Sequence, residues 1–126
     1  MSIPCYTFKI TCMKVIAIST ENSLIRDELK ETFEKAGVDY RILHPSNSAY
    51  REAVDFKPEV VILDITAGDW LVREMYDALK QVIDAKKYVL TTISKRNISR
   101  KFSDFDGEKI VPFRKSRLQA VLKRSL

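Results

Sequence analysis

The chain has 126 residues, 45% hydrophobic and 31% charged, with a net charge of +5. That length suits one domain with one core, and the composition is globular rather than disordered. No apolar stretch nears the roughly 20 residues that cross a bilayer, and no basic segment leads into a long apolar run. Neither a membrane anchor nor a secretory signal is therefore expected, and the cytoplasm is the default.

Residues 1–12 precede the first clear strand signal and read as an extension to a domain over 13–126. Tyr6, Phe8 and Ile10 alternate there, which fits an added strand, a tail, or a segment upstream of a start at Met13. Cys5 and Cys12 match no CxxC or zinc spacing, so a reduced compartment suits them better than a disulfide between them. Val15–Ser19 reads as a buried strand. Asn22 and Ser23 offer helix caps. Ile25, Leu29, Phe33 and Ala36 then recur at helical spacing, and Gly37 marks the stop. Val38–Leu43 is a second strand, and Pro45 with Ser46 a turn. Ala49, Ala53 and Val54 predict a short helix that ends before Pro58.

Val60–Asp64, VVILD, reads as a strand buried on both faces. Gly68 and Asp69 form a loop. Leu71, Val72, Met75, Leu79, Val82 and Ile83 predict an amphipathic helix, with Trp70 as its first packing residue rather than an exposed contact near the Asp64 crevice. Tyr88–Thr92 is a fourth strand. Lys95–Asp106 is polar and basic, and accommodates a short helix with Ile98 and Phe102 inward. Lys109–Val111 is a fifth strand, ended by Pro112. Ser116 then caps a last helix that buries Leu118, Val121 and Leu122.

Strands alternating with helices predict a parallel sheet covered on both faces. Neither GxGxxG nor GxxxxGK[ST] occurs, and 3 glycines cannot build a phosphate cradle. His44 is the only histidine, which excludes a His-rich metal site and a Ser–His pair. Asp64 closes the third strand. A carboxylate there points into the crevice where α/β sheets bind ligands, or it simply ends the strand. Charge is uneven: from Lys86 onward 12 Lys/Arg face 3 Asp/Glu, while before it 10 face 14. A solvated basic face explains this better than a nucleic-acid surface does.

The βα repeat, with Lys57-Pro58-Glu59 leading into VVILD, resembles the receiver domain of response regulators. The resemblance implies a flavodoxin-like, doubly wound five-stranded sheet of order 2-1-3-4-5. It makes Asp64 the candidate phosphoacceptor, which takes a phosphoryl group from a partner histidine kinase. A carboxylate facing a phosphoryl dianion needs a cation, and Mg²⁺ with oxygen ligands fills that role. The implied Mg²⁺ ligands are an acidic pair after strand one, Asp64, and the backbone carbonyl of Thr66. Thr92 matches the hydroxyl that closes on the phosphoryl group.

Other positions depart from the family pattern. Aligned through the first helix, Thr20 and Glu21 occupy the acidic pair, and Glu21 is its surviving acid. Aligned through the strand, Ser19 and Thr20 occupy it and none survives. Val111 replaces the Lys before Pro112; Lys109 faces the same side of the strand as a candidate substitute, but its Cα lies roughly 7 Å farther along it. Glu108 stands where the switch aromatic belongs, and the loop after Asp64 lacks the usual Pro. The face of the fourth helix, fifth strand and fifth helix supplies candidate partner contacts: Lys95, Arg96, Arg100, Lys101, Phe102 and Arg114.

These features are expected of a stand-alone, atypical receiver acting in signal transduction through protein contacts, with phosphotransfer to Asp64 weak or absent. Its partners would be a histidine kinase, another signalling protein or a second copy of itself. No enzymatic activity beyond autophosphotransfer is expected. A working Mg²⁺-dependent phosphoacceptor is the second reading, and a nucleic-acid module built on the basic C-terminal third is the last.

Overall fold

The computed structural model describes residues 13–66, 70–93 and 102–125. Its strands are β1 (Lys14–Ile18), β2 (Asp39–Leu43), β3 (Val60–Asp64), β4 (Lys87–Thr91) and β5 (Glu108–Ile110). The helices among the described residues are α1 (Arg26–Ala36), α2 (Asn47–Phe56), α3 (Trp70–Val82) and α4 (Lys115–Ser125). All strand pairs are parallel, and the order is β2-β1-β3-β4-β5. This is the flavodoxin-like, doubly wound arrangement that the resemblance to receiver domains implies.

Period-two alternation sorts the strand residues between two cores. Val15, Ala17, Val60, Ile62, Val89 and Ile110 face one. There α1 adds Leu29 and Phe33, and α4 adds Leu118, Val121 and Leu122. Ile16, Ile18, Val61, Leu63 and Leu90 face the other, under α2 and α3. β3 lies centrally and is buried along its whole length. Each fully buried Leu, Ile or Phe contributes roughly 1.5–3 kcal/mol, so this burial dominates the fold.

Several local expectations shift. β1 stops at Ile18, β4 at Thr91 and β5 at Ile110. Ser19, Thr92 and Val111 therefore stand just beyond their strands. Ser46 caps α2 by accepting the Ala49 N–H at 3.1 Å. Ser23 is not a helix cap: α1 starts at Arg26 without a side-chain cap, because the Ser23 hydroxyl is engaged elsewhere. Ser116 lies inside α4 rather than before it. Trp70 opens α3 but is 58% exposed, so it is not the packing residue its position suggests.

The expected fourth helix falls mostly at residues 94–101, outside the described residues. Phe102, expected as a partner contact, is instead fully buried and lies with its ring 6.0 Å from that of Tyr76. Phe105 joins the same cluster, 5.5 Å from Tyr76. No helix among the described residues is long and apolar enough to cross a membrane.

Candidate functional site

Ser19 and Asp64 meet because of register and alternation. Ile18 pairs with Leu63, so the next residues, Ser19 and Asp64, leave neighbouring strands side by side. Both continue the alternation of Val15–Ala17 and Val60–Ile62, toward the face that α1 covers. Asp64 is only 1% exposed. A carboxyl group so buried needs hydrogen bonds in place of water.

It has three. The Ser19 hydroxyl donates to Oδ2 at 2.7 Å and the Ser23 hydroxyl donates to the same oxygen at 2.5 Å. The Thr66 backbone N–H donates to Oδ1 at 3.0 Å. Ser23 also accepts the Ile25 N–H at 3.4 Å, which fixes the turn entering α1. The Arg26 guanidinium donates to the carbonyls of Ser19 and Ile42, pinning the exits of β1 and β2. None of the groups bonded to Asp64 is acidic, and none is a cation.

The strands beyond β3 are tied in by hydroxyls. The Thr66 Oγ1 accepts the Ile93 N–H at 3.2 Å, and the Thr91 hydroxyl donates to the Ile110 carbonyl at 2.6 Å. Thr92 is fully buried, and its hydroxyl has no hydrogen-bond partner among the described residues. The Thr20 hydroxyl is likewise buried without one.

Of the sequence-derived candidates, Asp64 and Thr66 come together directly. Glu21 is exposed and is not among the partners of Asp64. Lys109 is exposed and alternates with inward-facing Ile110, and its carbonyl accepts from Arg117 at 3.1 Å. Glu108 pairs with Arg124 at 3.0 Å and with Lys87 at 3.7 Å. Arg114 is exposed. Lys95, Arg96, Arg100 and Lys101 lie outside the described residues. No group of three or more His, Cys, Asp or Glu among the described residues could hold a metal ion. Ser23 is the site residue that sequence reasoning assigned elsewhere, because Ser near a helix start ordinarily reads as a cap.

No model of a known family matches the sequence, and no curated protein matches it either. Solved structures do match. A CheY-like receiver domain from Methylobacillus flagellatus aligns with a TM-score of 0.72 at 13% identity, covering 92% of this chain and 100% of that one. A chemotaxis response regulator of Vibrio cholerae gives 0.69 at 18% identity, with coverage of 92% and 100%. The receiver domain of a Pseudomonas aeruginosa sensor histidine kinase, with a magnesium ion in its active-site cleft, gives 0.64 at 13% identity, with coverage of 90% and 97%. Over nearly its whole length, this chain has the fold of the response regulator receiver domains.

Proposed function

We propose that this chain is an atypical receiver that signals through contacts with another protein, with phosphotransfer to Asp64 weak or absent. One observation carries this reading. The buried Asp64 carboxylate is held by two serine hydroxyls on Oδ2 and by the Thr66 N–H on Oδ1. Mg²⁺ asks for near-octahedral oxygen ligands and is ordinarily held through one or two carboxylates. Here the donor set is a single carboxylate flanked by O–H donors, with Glu21 exposed, and it does not fit that ion. Val111, apolar, stands before Pro112, where an ammonium would balance the phosphoryl charge.

The partner in this reading is a histidine kinase or another signalling protein, or a second copy meeting it through β5 and α4, where Arg114 is exposed. The place of action is the cytoplasm. The Thr92 hydroxyl, without a partner among the described residues, favours a second reading, a residual phosphoacceptor, because such a hydroxyl at the end of β4 is ready to bond an incoming oxyanion. Beryllofluoride with Mg²⁺, followed by amide NMR, separates the two. The expected result is an unchanged spectrum. Saturable shifts around Asp64 and Thr92 that vanish in Asp64→Asn overturn the first reading and establish the second.

A further inference from the structure

Exposed large apolar side chains are few among the described residues, and they are not scattered. Leu24 is 75% exposed, Trp70 58%, Leu71 45% and Ile93 43%. Each lies in a segment leaving the carboxyl end of a strand: Leu24 after β1, Trp70 and Leu71 after β3, and Ile93 after β4. These strands are consecutive in the sheet, so their ends lie within about 10 Å of one another. Val82, 54% exposed, ends α3 and is the one member of this class away from that edge.

Beside Leu71 runs a groove of about 360 Å³ between α2 and α3. Pro45, Tyr50, Leu71, Met75 and Ala78 line it, with Glu74 among them. Leu71, Glu74, Met75 and Ala78 follow helical spacing along one face of α3, which shapes the groove to receive the ridge of another helix. Glu74 in the groove and Glu21 at the same edge are exposed, and neither has an ion-pair partner among the described residues.

We infer that this edge is a docking surface for an amphipathic helix of another protein, with an apolar stripe flanked by Lys or Arg. The apolar stripe enters the α2–α3 groove over Leu71, with Trp70 as the aromatic anchor beside it. The flanking cations meet Glu74 and Glu21. The surface rests on the reading that this chain works through protein contacts, and it gives that contact a location and a chemistry. It is distinct from the β5–α4 side, which carries exposed Lys109, Arg117 and Arg124.

The probe is a synthetic Leu/Lys amphipathic helical peptide, compared with a Leu/Glu peptide of the same pattern, each titrated into the full chain. Emission of Trp70, the only tryptophan, and amide NMR report binding. The Leu/Lys peptide is expected to shift Trp70 emission to the blue and to move the amides of Tyr50, Leu71 and Glu74. Leu71→Ser should weaken that binding about tenfold, and Glu74→Lys should favour the Leu/Glu peptide instead. Both positions are exposed, so the variants fold. No binding of the Leu/Lys peptide, equal binding of both peptides, or shifts confined to α4 overturn the surface. Concentration-dependent shifts at the groove without peptide assign it to a second copy and overturn the helix partner. A wild-type chain that takes beryllofluoride and still binds the peptide in the groove upholds the surface while removing the phosphotransfer-deficient reading. A chain blind to beryllofluoride and to the peptide removes the surface alone.

Discussion

Asp64 sits among hydroxyl donors, and that sets how substitutions there behave. Asn keeps one carbonyl acceptor, and hydroxyl rotors can turn to accept from its NH₂. Asp64→Asn is therefore expected to fold with near-native stability. Asp64→Ala strands the Ser19 and Ser23 hydroxyls in a buried space and should cost about 3 kcal/mol in urea unfolding. Two adjacent threonines make a second contrast. The Thr91 hydroxyl holds the Ile110 carbonyl, whereas the Thr92 hydroxyl has no partner among the described residues. Thr91→Val should lose about 1–2 kcal/mol and Thr92→Val close to none. Equal losses would mean that the Thr92 hydroxyl is bonded after all. The role of Ser23 was hidden from sequence reasoning because hydroxyls serve caps and carboxylates alike. Only the register that sets Ser19 beside Asp64 separates the two uses.

At the scale of elements, the loops differ in how they turn. Gly37 ends α1 at φ 71, and a methyl there would meet nothing within 4 Å. Gly37→Ala should then cost only the left-handed backbone, about 1 kcal/mol. At Gly107 a methyl would stand 2.4 Å from the Tyr88 carbonyl oxygen, at the start of β4, which is backbone and cannot step aside. Gly107→Ala should cost more, roughly 3 kcal/mol, by distorting the entry to β5. Thermal unfolding of both variants checks the order.

The turn before β5 is also clamped electrostatically. Arg73 on α3 bonds Asp104 through both carboxylate oxygens, at 2.7 and 3.2 Å. That guanidinium holds the Asp104 carboxyl below its ordinary value of 3.8. The stabilisation is therefore present above the ordinary value and lost as pH falls through the lowered one. Carbon-detected NMR titration should show the Asp104 midpoint rising toward 3.8 in Arg73→Met. Helix and strand types were legible here because β3 is a short continuous apolar run and α3 carries a strong helical periodicity. Exact ends were not, since Ser19, Thr92 and Val111 are compatible with a strand by type and leave it only through tertiary geometry.

For the whole molecule, the alternation of strands and helices made a parallel sheet legible, and parallel crossovers left few topologies, but the order itself came from the resemblance to receiver domains. The charge asymmetry was equally legible, but its use was not. In the structure, basic residues of the last third meet acids of other elements: Lys115 meets Glu31 at 3.1 Å and Arg124 meets Glu108 at 3.0 Å. Lys115 and then Lys35 hold the Glu31 carboxyl below its ordinary value. Such pairing favours a solvated face over a nucleic-acid groove. Duplex DNA in low salt should therefore leave the fluorescence anisotropy of a labelled chain unchanged, and a steep salt-dependent rise would reverse this.

The pairing of α1 with α4 also governs the order in which the protein can assemble. Val15, Ala17, Val60 and Ile62 belong to a face that α4 helps to cover with Leu118, Val121 and Leu122. Among the described elements α4 leaves the ribosome last, while the α2–α3 face needs only earlier segments and the Phe102–Phe105 turn. The nascent chain therefore shows a half-clothed sheet until α4 arrives, a distant contact of the kind that slows folding. During synthesis, that bare apolar stripe is the part of the molecule a chaperone would meet.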